Sequence, residues 1–499
     1  MSRFPLSAIL SVCAFALTAS GAPAQLIQIK TVPVAQADQF DIFPSRSSAM
    51  GGVSIAVDDP WLDPFVNPAK GTRLKGGRVS GAPMMFSVSN DAGGGRTLPI
   101  SVVEANRSWF GGFTVAIQEI DEARQIDPVQ PFGIVNDVRI ASPPRTNRSH
   151  GNRFVHALAG APLGDGSWAL GASFQWAELN AIDGVDLLYA RSIDLTQFGH
   201  LVDARVGVLK EWKGGQSLEA MLLHNRIDMT HDVTYADVFW DPEQRVMVQR
   251  PRVEQNIDRT ITWGAHAEYE QPLTAAGWRA GVRLTANIAS HPKIPNYEIM
   301  NIPRDPGRSH AYDLGLGVSR AFQGTIVGFD AVFEPIRSHT WADAATPIET
   351  AQGDSLAAGA RTIENWFRFS NAILRFGFSE EHAVADSETL VGFQFGVALR
   401  TVSYRLRQVD HVQGEERTQR EYWNEWLPTW GFRIEVPRLT IAYRGSLTSG
   451  TGRPGVRDDV FTRDLAVAAS NIIVAPSGPL TLDGVSVVSH QISISLPIR

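Results

Sequence analysis

The residues best placed for chemistry are arginines. Arg279, Arg283, Arg400, Arg433 and Arg444 each lie in a stretch where apolar and polar residues alternate, and each belongs to the polar set. If the apolar sets face outward, these guanidinium groups face inward, where Glu268, Glu435 and Asp258 are potential partners. A guanidinium can grip a carboxylate with two parallel hydrogen bonds, so holding an anionic ligand is one role for them. A bracing network of internal ion pairs is the other. Trp61 and Phe65 stand in a separate, Pro-rich stretch. They either touch the apolar part of a ligand or seat that stretch against its surroundings.

Catalytic chemistry has little support. The chain has no G-x-S-x-G, no H-E-x-x-H and no phosphate-binding loop. His224 and His231, with Asp228 and Asp232 close by, suggest a metal or a base. They are expected at a strand end and an external loop, where a solvated polar rim is the plainer reading. We therefore expect no enzyme, no cofactor and no metal. A net charge of −7 leaves no basic footprint for nucleic acid.

The elements that must position these residues have a period of two. Trp168, Leu170, Ala172, Phe174 and Trp176 alternate with Ala169, Gly171, Ser173, Gln175 and Ala177. Trp278, Ala280, Val282, Leu284 and Ala286 alternate with Arg279, Gly281, Arg283 and Thr285, and Val391–Arg400 and Thr429–Val436 repeat the pattern. Helices would scatter such sets around their circumference, so these are strands with one apolar and one polar or small face. Strands are expected near 77–89, 97–106, 108–120, 152–162, 167–179, 200–213, 216–229, 256–270, 277–290, 308–322, 325–338, 362–378, 388–407, 422–436, 438–448 and 484–498.

The connections between them alternate short and long after the first. Short turns include Gly164–Gly166, Gly214-Gly215 and Gln323-Gly324; long ones include Asp121–Gly151, His231–Gln255, Gln408–Glu421 and Ser449–Asp483. Outer-membrane barrels have short periplasmic turns and long external loops, which would put both termini in the periplasm. Trp168 and Trp176 share a face and would lie about 20 Å apart along the membrane normal, at about 3.3 Å per residue and a tilt of roughly 40°. That spacing suits two interfacial aromatic girdles.

The first residues read as a secretory signal over 1–24, with one positive charge, an apolar run from Ala8 to Leu17 and Ala22-Pro23-Ala24 at the cleavage site. Cys13, the one cysteine, falls inside it, so the mature chain would carry no thiol. Residues 25–75 follow as an irregular lead-in and hatch, and 76–499 as the barrel. Within the hatch, Gly51-Gly52 permits a turn, and Asp59-Pro60, Asp63-Pro64 and Asn67-Pro68 repeatedly block regular structure.

Met50–Leu74 also carries a resemblance. Gly51-Gly52, the alternating Val53–Val57, Asp58-Asp59 and then Asn67-Pro68-Ala69 resemble the N-terminal signature of FadL/TodX-like outer-membrane transporters of long-chain fatty acids and other hydrophobic compounds. The resemblance implies a fourteen-stranded barrel with the N-terminal segment folded into its lumen, and lateral exit of ligand through a gap in the wall. Lys70 is a departure, inserted where the family signature runs directly from Ala to Gly. The expected fold is an all-β transmembrane antiparallel barrel of 14 to 16 strands with a lumenal hatch. The expected function is an outer-membrane channel for passive uptake of hydrophobic or amphipathic molecules, with outer-membrane lipid around it. Gly51, Gly52, Asn67, Pro68 and Ala69 would form the hatch, and Arg279, Arg283, Arg400, Arg433, Phe65 and Trp61 would meet ligand. A structural or partner-binding barrel is the alternative, and an outer-membrane hydrolase a third.

Overall fold

The computed structural model describes residues 26–123, 149–187, 192–241, 246–273, 276–291, 306–455 and 481–498. The expected signal over 1–24, with Cys13, lies outside the described residues.

The strands are β1 (Gly76–Gly81 and Met84–Val88), β2 (Gly94–Ala105), β3 (Phe110–Asp121), β4 (Ser149–Leu163), β5 (Trp168–Leu179), β6 (Ser192–Glu211), β7 (Ser217–Asp241) and β8 (Val246–Pro272). The series continues with β9 (Trp278–Ser290), β10 (Gly307–Phe322), β11 (Thr325–Asp343), β12 (Arg361–Ala383), β13 (Leu390–Asp410), β14 (Glu415–Val436), β15 (Leu439–Gly455) and β16 (Thr481–Ile498). Each pairs antiparallel with its neighbours in sequence, and β1 pairs with both β2 and β16, so the sheet closes. The two pieces of β1 keep one register against β16, with Gly81 opposite Ile494 and Met84 opposite Gln491, so they count as one strand. The described wall thus has sixteen strands, as the alternation indicates, rather than the fourteen that the resemblance implies.

The burial pattern inverts that of a water-soluble protein. Along β5, Trp168, Leu170, Phe174 and Trp176 are exposed while Ser173 and Gln175 are buried. In water, exposing such side chains would forfeit roughly 1.5–3 kcal/mol each. Against hydrocarbon it is the stable arrangement, because the closed ladder pairs the backbone of the described strands within the sheet and leaves no edge. Lys210 caps the exposed rings of Trp168 and Trp212 near the short turns, as an interfacial girdle requires.

Two expected loops are corrected. Most of His231–Gln255 is strand, because β7 and β8 stay paired from Ser217↔Glu270 out to Asp241↔Val246. Likewise β13 and β14 stay paired to Asp410↔Glu415 across the expected loop 408–421. Neither stretch alternates cleanly between apolar and polar residues, which concealed these extensions, since strands that project beyond lipid need no apolar side. In consequence His224 and His231 both lie within β7, on opposite faces: His224 tilts against Trp263 outside, while His231 is buried inside. They share neither a rim nor a common site.

Residues 26–74 fill the lumen. After an irregular run they form a short helix (Asp63–Val66) and a 3-10 turn (Pro68–Arg73) that leads into β1. Val34, Phe40, Ile42 and Phe43 pack on inward-facing Phe86, Phe154, Leu158 and Leu201, forming the main apolar core.

Candidate functional site

The hatch is seated by close approach. Its path from Ala49 to Ala69 passes β14, β13, β12, β10 and β6, and at each of these the wall presents a glycine. A Cβ on Gly431 would lie 2.7 Å from the Ala49 Cβ, one on Gly396 2.0 Å from the Gly51 nitrogen, and one on Gly377 2.5 Å from the Met50 oxygen. Gly317 and Gly207 are equally filled, by Ile55 and by Asn67 Oδ1. Gly51 and Gly52 have φ of 64° and 75°, and the Gly51 nitrogen donates to Thr429 Oγ1 at 2.9 Å. The expected turn is therefore pressed into the wall. Sequence reading missed the wall glycines because a small residue on a polar strand face is unremarkable until its opposite number is known.

Asn67 caps the turn that follows. Its Oδ1 accepts from the Ala69 nitrogen at 3.1 Å and its Nδ2 donates to Glu219 Oε2 at 2.9 Å, while Pro68 and Ala69 rest on Gly171. Lys70, the apparent departure, supplies the local counter-charge. Its Nζ stands 3.2 Å from Glu219 Oε1 and 3.8 Å from Asp63 Oδ2. Glu219, His266 and Glu268 bring possible ligand atoms within 4.8 Å of one another. The cation beside Glu219 is thus the hatch's own ammonium.

Asp59 organises the start of the hatch. Its carboxylate accepts from the hydroxyls of Ser45 at 2.6 Å and Ser47 at 2.8 Å, and from the nitrogens of Arg46, Ser47, Trp61 and Leu62. Trp61 is buried with Arg78 over its ring at 4.9 Å. Phe65 stacks on Phe43 at 4.4 Å and tilts toward His156.

Four of the inward arginines touch the hatch or N-terminal segment beside a wall carboxylate. Arg279 donates to Asp58 Oδ2 at 2.6 Å and pairs with Glu270. Arg283, buried, holds Asp313 through two bonds at 3.1 Å and reaches Ser54 Oγ at 3.2 Å. Arg433 pairs with Glu381 and approaches the Arg46 carbonyl at 3.5 Å. Arg400 donates to Gln28 Oε1 at 3.0 Å and lies 3.6 Å from Glu334. Arg444 pairs with Asp41 of the same segment at 3.0 Å.

Beside Arg400 the lumen changes character. Ile336, Phe367, Phe369, Val402, Tyr404 and Leu406 make an apolar face, covered by Ile27 and Ile29. Lys30 anchors this cover to Glu425 at 2.6 Å, and the Tyr404 hydroxyl donates to the Thr31 carbonyl at 3.1 Å. Nearer the long-loop end, residues 180–187 fold inward and latch to the same segment. Asp183 Oδ2 accepts from the Ala37 nitrogen at 2.7 Å, and Gln39 bonds both the Asp183 nitrogen and the Ala181 carbonyl. Burial pushes the Asp183 carboxyl up to about 7.

No protein-family model and no curated protein matches the chain. Solved structures similar to it include a Pseudomonas aeruginosa FadL homologue, at 11% identity over 92% of this chain and 99% of that one, with a TM-score of 0.42. The Pseudomonas putida toluene transporter TodX is similar at 11% identity over 90% and 96%, with a TM-score of 0.37. A bacterial polysaccharide outer membrane secretin is similar at 9% identity over 85% and 99%, with a TM-score of 0.40. At these values the closed strand pairing itself, not the likeness, establishes the fold.

Proposed function

We propose that the protein is an outer-membrane channel for passive uptake of hydrophobic or amphipathic small molecules, with residues 26–74 as its movable hatch. The observation that carries this reading is the apolar face at Phe367, Phe369, Tyr404 and Leu406, with Arg400 at its edge and a peptide segment lying on both. Ile27 and Ile29 occupy the place of a hydrocarbon chain, and the Gln28 oxygen that of a head-group oxygen. A long-chain fatty acid has the chemistry to replace them, its carboxylate on Arg400 and its chain on the aromatic rings.

On this reading the short turns face the periplasm and the chain is exported by the signal over 1–24. Arg279, Arg283 and Arg433 become available to ligand only as the hatch moves, because each now contacts it, and Trp61 and Phe65, which belong to the hatch and are buried, are uncovered by the same movement. Sideways exit would use the break in β1, where Pro83 interrupts the strand and Pro99 of β2 stands opposite Ala82. Neither proline can donate to the ladder, so two adjacent strands lose backbone hydrogen bonds at the same place. Hydrophobic ligand and surrounding lipid are the partners of this mechanism, which requires no nucleotide, metal or other cofactor.

A reversible lock tests it. A Cβ on Gly328 would lie 3.6 Å from the Val53 Cβ, within disulfide range of about 3.5–4.5 Å. The Val53→Cys, Gly328→Cys protein should take up labelled oleate and toluene when reduced and lose uptake when oxidised. Undiminished uptake by the oxidised protein would refute hatch movement. Equal uptake by cells with and without the protein would refute transport and leave a structural or partner-binding barrel.

A further inference from the structure

The outer surface carries a row of like charges that the transport reading does not use. Arg337 of β11 faces Arg368 of β12, Arg368 faces Arg405 of β13, and Arg405 faces Arg420 of β14, each pair in direct cross-strand register. All four are exposed and on the lipid-facing side of the wall. His310 of β10 stands opposite Arg337 at the end of the row. Like charges directly opposite each other on a sheet repel, and among the described residues no carboxylate pairs with any of the four arginines. By contrast Arg96 and Arg153, also exposed, pair with Glu119 at 2.7 Å and Glu178 at 3.1 Å.

The height of the row indicates what neutralises it. Arg368 and Phe378 lie on one face of β12, ten residues apart. At about 3.3 Å per residue and a tilt of roughly 40° that separation is about 25 Å along the normal, the height of the apolar band of a barrel. Phe378 is near the short-turn end, so the arginines stand at the opposite interface, level with lipid head groups. Tyr422 and Trp426, exposed below Arg420, mark that interface. Above the row, His339 stacks on Trp366 at 4.9 Å and Arg407 covers the same ring at 5.1 Å, but these two pair with Glu364 and Glu416, which leaves the four arginines as the uncompensated charges of this surface among the described residues.

We propose that the Arg337–Arg368–Arg405–Arg420 row is a binding site for a bisphosphorylated glycolipid head group of the outer leaflet. Its span, three interstrand spacings of about 4.8 Å or roughly 14 Å, exceeds what one phosphate can bridge and suits two phosphates carried on a sugar backbone. Guanidinium forks bind phosphate oxygens bidentately, which turns the repulsion within the row into a cradle for that anion. The proposal rests on the outer-membrane placement but not on transport, since these arginines face away from the lumen.

Native mass spectrometry of the detergent-purified full chain tests it, using a bisphosphorylated disaccharide lipid, its dephosphorylated form, phosphatidylglycerol and inorganic phosphate. The wild type should retain the bisphosphorylated lipid at least about tenfold better than its dephosphorylated form. The Arg337→Gln, Arg368→Gln, Arg405→Gln, Arg420→Gln protein should lose that preference, and the Arg96→Gln, Arg153→Gln protein should keep it. Equal retention of both glycolipids by the wild type overturns the proposal, as does an unchanged preference in the quadruple variant. Displacement at equal concentration by phosphatidylglycerol or by inorganic phosphate overturns the assignment to a glycolipid. Should the quadruple variant lose heat-modifiable migration on a gel, the wild-type comparison and Arg405→Gln alone decide. Hydrophobic-compound uptake that survives loss of lipid retention separates this site from the channel.

Discussion

Arg400 donates to both the side-chain and the main-chain oxygen of Gln28, at 3.0 and 3.4 Å. A wall arginine at the edge of an apolar face is thereby satisfied by the N-terminal segment, with Ile27 and Ile29 on the apolar side. On the proposed reading, a molecule with one polar end and one apolar end offers the wall the same set of interactions.

If Arg400 receives the head group, Arg400→Gln should separate anionic from neutral cargo. Uptake of labelled oleate should fall roughly tenfold or more, the equivalent of a charge-assisted hydrogen bond of about 1.5–3 kcal/mol. Uptake of toluene should change little. A matched decline of both would place Arg400 in the brace only.

Gly396→Leu should unseat the hatch. A Cβ there already lies 2.0 Å from the Gly51 nitrogen, and overpacking of a tight contact costs about 1–3 kcal/mol. Limited proteolysis should cut within residues 46–60, and conductance in planar bilayers should rise. Heat-modifiable migration should persist, because the wall ladder does not depend on this contact.

Asp59→Ala should loosen the same segment from within. It strands the Ser45 and Ser47 hydroxyls and several hatch nitrogens, and loss of such charge-assisted bonds costs about 3 kcal/mol. Amide exchange over residues 45–62 should accelerate, with exchange in the strands unchanged.

The Asp183 latch should weaken as pH rises. Its folded value, about 7, lies above the ordinary 3.8, so the folded state holds the proton more tightly than the open state does. The latch is at full strength below about 4 and loses stability progressively as pH rises through 7. Amide exchange at residues 36–39 and 181–187 should quicken between pH 5 and 8. Asp183→Asn should flatten that dependence, and an equally steep profile in the variant would refute it.

Much of the wall is legible in the chain itself. Alternation such as Trp168–Ala177 needs no partner to be recognised, since a period of two and an apolar face large enough for lipid are properties of one strand. The Gly51-Gly52 turn is likewise local, set by positive φ angles that few other residues adopt, and so is the Asn67-Pro68 cap, set by a side chain that reaches the Ala69 nitrogen. The extensions of β7, β8, β13 and β14 were hidden because, outside the lipid band, no face must be apolar.

What the sequence determined by itself is therefore the class of wall, a strand number between 14 and 16 and the presence of an irregular segment ahead of it. Only the tertiary structure decided which residues meet across the lumen and around the wall. Gly396 receives Gly51, Glu219 receives Lys70, and Arg400 receives Gln28, each over more than a hundred residues of chain, a separation that no local period encodes. The same holds for Arg337, Arg368, Arg405 and Arg420, which are single charges in four separate strands until register sets them side by side.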